Sequence, residues 1–309
     1  MARIGRLLVG ILALVLVASA CSSKSSGGGG SGGGGGISVF GEKKDSKIAS
    51  ELPGPVASKG SVTVASDAEY APMENIEAGG TAVVGADADL GHAMGAVLGI
   101  KFDFVNVIFA NILPGLQSEK YDLGISSFFD TKDREKTVDM IDYFQAGEGV
   151  ITLANNKKNY SNLDELCGQS VAAETGTVEL SDAQAADKNC KYEHKQGMKV
   201  LGFATQNEVN LAVTTGRALV GLADTEVAQY QVKVTGGKVR FAGNYAPAVL
   251  YGLAVPRPKG SPPGSGPLTK PVFDALKKLF DDGTYLTILK KYGIQSGALK
   301  APTINGATS

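Results

Sequence analysis

Gly149-Val150-Ile151-Thr152-Leu153-Ala154 and Ala248-Val249-Leu250-Tyr251-Gly252-Leu253-Ala254-Val255 are the two stretches on which the reading of this chain turns. Each is an apolar run of the kind a strand covered on both faces requires. Between them strand-like and helix-like windows alternate: strand 170–174, helix 177–186, strand 199–203, helix 206–215, strand 218–223, helix 225–232. Before the first run the alternation is similar, with strand 61–65, a hairpin turning at Gly79-Gly80, helix 87–98, strand 102–105, helix 109–117, strand 122–126 and helix 132–138. Strand–helix alternation predicts mostly parallel sheets covered by helices on both faces. Two such series, separated by one extended run and closed by another, predict an α/β fold of two doubly wound lobes joined by a two-strand hinge. Helices near 272–280 and 285–291 then return to the first lobe. Such a hinge opens and closes on a ligand, and open α/β sheets hold ligands at the carboxyl ends of their strands.

On helix 87–98 and at its end, Gly91, Gly95 and Gly99 stand four apart on one face. In a membrane that spacing could mean dimerisation. Asp87, Asp89 and His92 exclude a membrane, so the spacing predicts close packing on a sheet.

The 309 residues carry a formal net charge of −1, with 43% hydrophobic residues, two His and three Cys. Without a basic face to displace phosphate counterions, a nucleic-acid partner is excluded. No Cys-x-x-Cys occurs, and His92 and His194 have no ligand-like neighbours at metal spacing, so neither a metal nor another cofactor is expected. The odd cysteine count is accounted for at the N-terminus. Arg3 and Arg6 precede the apolar stretch Leu7 to Val17, too short to span a bilayer, so residues 1–20 read as a signal peptide. Leu16-Val17-Ala18-Ser19-Ala20-Cys21 looks like a bacterial lipobox, with cleavage before Cys21 and lipid on its thiol; the alternative is ordinary Ala-x-Ala cleavage that leaves a free cysteine. Residues 21–59, opening in a Ser/Gly tract and containing the breaker Leu52-Pro53-Gly54-Pro55, read as a flexible linker. Cys167 and Cys190 remain, and in an exported chain a disulfide between them is expected, with two buried thiols as the alternative. The remaining organisation follows: lobe 1 from 60–148 and 249–300, lobe 2 from 149–248, and a flexible tail at 301–309.

Loops after strands are the places to search for chemistry. Ser66 to Met73 offers Tyr70 beside Asp67 and Glu69. Ser126-Ser127-Phe128-Phe129-Asp130-Thr131-Lys132-Asp133-Arg134 combines hydroxyls, backbone amides and a guanidinium. Glu174-Thr175-Gly176-Thr177-Val178 enters a helix whose first N–H groups suit an anion. Asp224, at a strand end, suits a cation. Together these groups would clamp a zwitterion, Arg134 taking the carboxylate and Asp224 the ammonium. Each also has a local reading. Arg134 could pair with Asp130 or Asp133, Asp224 could be a helix N-cap, and Tyr70 and Phe109 could be packing residues.

Tyr70-Ala71-Pro72-Met73-Glu74, Gly85-Ala86-Asp87-Ala88-Asp89-Leu90, Ile112-Leu113-Pro114-Gly115-Leu116-Gln117, Tyr121 to Ser127, Asp130 to Arg134 and Asp282-Gly283-Thr284-Tyr285 resemble, in order and spacing, the family 3 extracellular solute-binding proteins. These are polar amino-acid receptors of ABC importers, with the type II periplasmic binding protein fold. The resemblance implies that Arg134 and the amides of Phe129 and Val178, beside Thr177, bind an α-carboxylate. It implies further that Asp224 and the Ser127 carbonyl, next to Ser126, bind the α-ammonium. Tyr70 and Phe109 would flank the ligand side chain, with Asp67 and Met73 lining its pocket. Phe129 stands where the family usually has a hydroxyl residue, and Met73 where it usually has Phe, which makes the pocket more apolar; Asp67 leans towards a cationic side chain. The implied partners are a small amino-acid ligand, an ABC permease and, through lipidated Cys21, the cell membrane, with the protein extracytoplasmic and a monomer. A periplasmic dehydratase using Glu174 or Asp67 as acid, and a sensory module presenting ligand to a membrane receptor, are the competing readings.

Overall fold

The computed structural model describes residues 39–308. The signal segment 1–20, Cys21 and the glycine tract lie outside the described residues. The later part of the expected linker is folded. Asp45 Oδ1 accepts from the N–H groups of Lys47 (2.9 Å) and Ile48 (3.2 Å) and caps α1 (Ser46–Ala49). Leu52-Pro53-Gly54-Pro55 does not break the chain but starts α2 (Gly54–Lys59), since proline in a first helical turn has no needed N–H to lose. Leu52 is buried in a core against which Ile48 and Val56 pack, so 45–59 belongs to the folded body rather than to a linker.

The first series supplies β1 (Ser61–Ser66), the small antiparallel sheet β2 (Glu69–Tyr70), β3 (Glu74–Ile76) and β4 (Val83–Val84), then α3 (Ala86–Leu98), β5 (Lys101–Asn106), α4 (Ile112–Gln117) and β6 (Leu123–Gly124). β1 lies between β5 and β6 and runs parallel to both. Helix α3 lies close against its neighbours because its glycines face them. A Cβ on Gly91 would stand 2.6 Å from the Phe104 ring, and one on Gly95 would stand 2.9 Å from the Ile100 carbonyl.

β7 (Val138–Leu153) then leads to β8 (Ser170–Glu174), α5 (Val178–Tyr192), β9 (Lys199–Phe203), α6 (Gln206–Thr214), β10 (Val220–Asp224) and α7 (Thr225–Val234). β8 lies between β9 and β10, parallel to both, so the second series repeats the pairing of the first. The two expected crossovers are β7 and β11 (Val239–Pro256), which pair antiparallel from Val239↔Leu153 to Pro256↔Val138 and join both halves into one sheet. Their register shifts between 241 and 244, 244 and 246, and 246 and 249, opposite residues 146–151, and again between 251 and 252. Such bulges leave ladder groups unpaired and increase twist. Three of the four lie where the strands pass from one lobe to the other, which is where a hinge is needed. Helices α8 (Thr269–Asp282) and α9 (Thr284–Tyr292) pack on the first lobe through Val272, Leu276, Tyr285 and Ile288.

Two further expectations are corrected. Residues 132–138 form no α-helix: only a 3₁₀ turn spans Arg134–Lys136, and Val138 already pairs with Pro256. The 301–309 tail is held as far as Ala307. β12 (Ala298–Ile304) adds to β7, and the Ala307 N–H donates to Asp130 Oδ2 at 3.1 Å. The long β7 offers an edge beside its first half, and a strand covers it.

Cys167 and Cys190 form the expected disulfide, with Cα atoms 5.7 Å apart. It ties the turn before β8 to the last turn of α5, in a core with Tyr160, Leu166 and Ala183. Closing a loop of 23 residues restricts the unfolded chain, so replacing both cysteines by alanine is expected to lower stability by about 3 kcal/mol. The denaturant midpoint, measured with and without reductant, checks this; wild type and variant should coincide once reductant is present. Among the described residues no helix is long and apolar enough to cross a membrane.

Candidate functional site

The loops that leave β1, β6, β8 and β10 at their carboxyl ends meet between the lobes, at the switch points of the two parallel units. They enclose a small cavity lined by Tyr70, Phe109, Ser127, Phe129, Arg134 and Asp224 together with Thr177, Val178, Glu179, Gln206 and Leu222. Eight of the residues expected from the sequence are thus brought together. Three are not among its lining. Met73 lies fully buried in the core of the first lobe. Ser126 is fully buried, its Oγ accepting the Asp67 N–H at 2.8 Å and donating to Glu74 Oε1 at 2.9 Å. Asp67 stands behind Phe109, whose N–H donates to Asp67 Oδ2 at 2.7 Å.

Arg134 is the cation of the site. It makes no pair with Asp130 or Asp133: Asp133 pairs with Lys136 at 2.6 Å, and Asp130 lies against Asp142. Its Nη1 donates to the Phe129 carbonyl at 2.7 Å and its Nη2 to the Gly176 carbonyl of the other lobe at 3.2 Å. The guanidinium lies over the Phe109 and Phe128 rings, 5.5 and 5.3 Å from their centroids. Burial lowers its pKa, while Glu179 and Asp224 oppose that shift; a guanidinium remains charged regardless. Phe129 faces Tyr251 across an isolated bridge whose ladder bonds run from Asp130 N–H to the Leu250 carbonyl and from Gly252 N–H to the Phe128 carbonyl. The Phe129 N–H therefore points away from Tyr251, to the same side as its Arg134-bound carbonyl.

On the second lobe Thr177 caps α5, its Oγ1 accepting the Leu180 N–H at 3.3 Å and donating to the Glu174 carbonyl at 2.7 Å. Val178 and Glu179 follow in the first turn, where amides lack intrahelical partners. Asp224 begins α7 but makes no side-chain cap; its carboxylate accepts the Tyr251 hydroxyl and meets Glu179. Burial, then Glu179, pushes its pKa well up. Ser127, held at φ 48°, directs its N–H to Asp87 Oδ2 (3.1 Å) and its hydroxyl to Glu74 Oε2 (3.1 Å). Both groups are engaged inside the first lobe, and backbone strain of this kind recurs at ligand clamps.

Beyond the cavity wall a second acidic group spans the lobes. The Tyr70 hydroxyl donates to Glu174 Oε2, and Asp67 lies close enough for its charge to act on Glu174. Burial pushes Glu174 up to about 9 and Asp67 up to about 6. No lysine or arginine among the described residues forms an ion pair with Asp67, Glu174, Glu179 or Asp224. Tyr70 and Phe109 lie with ring centroids 5.8 Å apart. Sequence reasoning missed Glu179, Gln206 and Leu222. Glu179 is one residue beyond the amide already singled out, and its spacing in the first helical turn was the available signal; Gln206 and Leu222 carried none.

Residues 62–295 match the bacterial extracellular solute-binding proteins, family 3. The arginine-binding protein ArgT of Corynebacterium glutamicum is 28% identical over 260 residues, covering 84% of this chain and 83% of that one. The lysine/arginine/ornithine-binding periplasmic protein of Escherichia coli is 31% identical over 237 residues, covering 75% and 86%. Among solved structures, an ancestral arginine-binding protein bound to arginine superposes with a TM-score of 0.67 at 29% identity, covering 76% of this chain and 98% of that one. With this match, the two wound lobes, the paired hinge strands and a charged cavity between them, the chain belongs to the family 3 bacterial extracellular solute-binding proteins.

Proposed function

We propose that this protein captures an L-amino acid with a cationic side chain between its lobes and delivers it to a membrane permease of an ABC importer. The charge layout carries the reading. One buried guanidinium lies beside the Phe129 and α5 amides for a carboxylate, the Asp224–Glu179 pair awaits an ammonium, and the Asp67–Glu174 pair lies farther out. An amino acid with a distal cation matches all three sets, and its two positive groups would relieve the repulsion among four buried acids. The arginine-binding relatives support the same class. Closure excludes water and strengthens each ion pair. The lobes of this proposal are 60–148 with 249–300, and 149–248, turning about the bulged stretch of β7 and β11.

The role is binding without turnover, by a monomer held to the cell membrane through lipid on Cys21. Cys21→Ser is expected to release the protein from membranes, and retention on them would overturn the anchor. A thermal-shift panel of the twenty amino acids tests the ligand class. Arginine, lysine or ornithine, added as a further well, should raise the melting temperature by several degrees at 100 times Kd, since binding at that excess stabilises by about 2.7 kcal/mol. A panel with no shift, or product formation from arogenate, would overturn the reading.

A further inference from the structure

The Asp67–Glu174 contact joins two carboxyl groups from opposite lobes, both almost fully buried. Asp67 comes from the loop after β1 and Glu174 from the end of β8. Two neighbouring carboxyls buried in this way cannot both ionise without repelling each other, so one of them keeps a proton. Their surroundings say which one holds it. Asp67 accepts an N–H from Phe109 at 2.7 Å, which favours its ionised form. Glu174 receives the Tyr70 hydroxyl on one oxygen, while its Oε1 is buried without a partner. The other charged group facing the pair is Glu69, on β2, which accepts the Asn207 N–H of the second lobe at 3.0 Å. The ionisable groups that bear most on Glu174 are thus Asp67, Glu69 and Tyr70, while the Arg134 guanidinium reaches the Gly176 carbonyl, two residues along the same loop, at 3.2 Å.

We infer that Glu174 is a specificity-determining residue that exchanges its proton for the cationic end of the ligand side chain. When a guanidinium or primary ammonium enters beside Tyr70, the Glu174 proton leaves to solvent and both carboxylates face the cation. A neutral amide end binds the protonated pair with no proton released. This rests on the reading of the cleft as an amino-acid site. Arginine and glutamine present the same α-carboxylate and α-ammonium to Arg134, Asp224 and Glu179, so any proton movement there is common to both ligands. The difference between them isolates the distal pair. Burial raises the Glu174 carboxyl to about 9, so the proton is mostly present in the ligand-free protein between pH 6 and 8. Over that range arginine affinity is expected to rise relative to glutamine by up to about tenfold per pH unit, the limit for one released proton.

The test is calorimetry of the intact protein with L-arginine and L-glutamine at pH 6, 7 and 8, in two buffers of different ionisation enthalpy. The expected result is close to one more proton released with arginine than with glutamine, and an arginine-to-glutamine affinity ratio that grows with pH. Glu174→Gln should lower that ratio at least tenfold and abolish its pH dependence. Equal proton release for the two ligands in the wild type would overturn the inference, and this needs no variant to fold. So would a pH-dependent ratio that survives in Glu174→Gln. If neither amino acid binds, the reading of the cleft itself has failed and the inference falls with it.

Discussion

Arg134→Ala is expected to weaken amino-acid binding by about 30-fold or more, because truncating one partner of a buried, hydrogen-bonded charge pair costs about 2–5 kcal/mol. The guanidinium does three things that alanine cannot replace. It offers a planar fork to a carboxylate, it bridges Phe129 of one lobe to Gly176 of the other at 2.7 and 3.2 Å, and it is the cation that balances Asp224 and Glu179. Arg134→Lys keeps the charge but not the fork, so it should fall between wild type and alanine. Titration calorimetry with arginine and lysine measures the loss. Binding by the alanine variant within twofold of wild type would remove Arg134 from the site.

The largest effect on stability is expected at Asp139. Its carboxylate is fully buried and accepts from Arg257 Nη1 (2.6 Å), Thr269 Oγ1 (2.7 Å), Gly264 N–H (2.7 Å) and Gly266 N–H (2.8 Å). This set pins the proline-rich stretch after β11 to the start of β7 and of α8. Asp139→Ala leaves Arg257, itself almost fully buried, without its partner, which costs about 3–5 kcal/mol. For a body of this size that is a fall in melting temperature on the order of 10 °C. The pH dependence has a definite sign. Burial alone would raise the Asp139 pKa, but the hydrogen bonds from Thr269, Gly266, Gly264 and Arg257 outweigh it and hold it below the ordinary value of 3.8. A carboxyl depressed in the folded state contributes stability that is complete above its unfolded pKa and lost as pH falls through the folded one. Acid unfolding of the wild type below about pH 4 should therefore be steeper than that of Asp139→Ala. Parallel melting curves down to pH 2 would contradict this.

Much of this was legible from residue order. The strand at 61–66, the helix at 86–98, the pairing of Cys167 with Cys190 and the two hinge strands follow from period, glycine spacing and cysteine count, all of them local signals. The misreadings share one cause. Leu52-Pro53-Gly54-Pro55, Lys132 to Val138 and the segment after Lys300 carry weak or ambiguous local signals. Their structures are set by what they pack on: Leu52 by the first core, Val138 by Pro256 and Ile304 by Ile141. The family resemblance implied a pocket role for Met73, where relatives usually have Phe, yet Met73 faces the core of the first lobe.

What the sequence by itself determined is the set of elements and the chemistry of four loops, because hydrophobic period and residue type are properties of short stretches. Only the tertiary structure decided how charges from distant stretches meet. Glu179 comes against Asp224 across 45 positions, Glu174 against Asp67 across 107, and Arg134 reaches Gly176 instead of the acids beside it in the chain. Electrostatic energy depends on distance and burial in space, and neither is encoded in the spacing of residues along the chain.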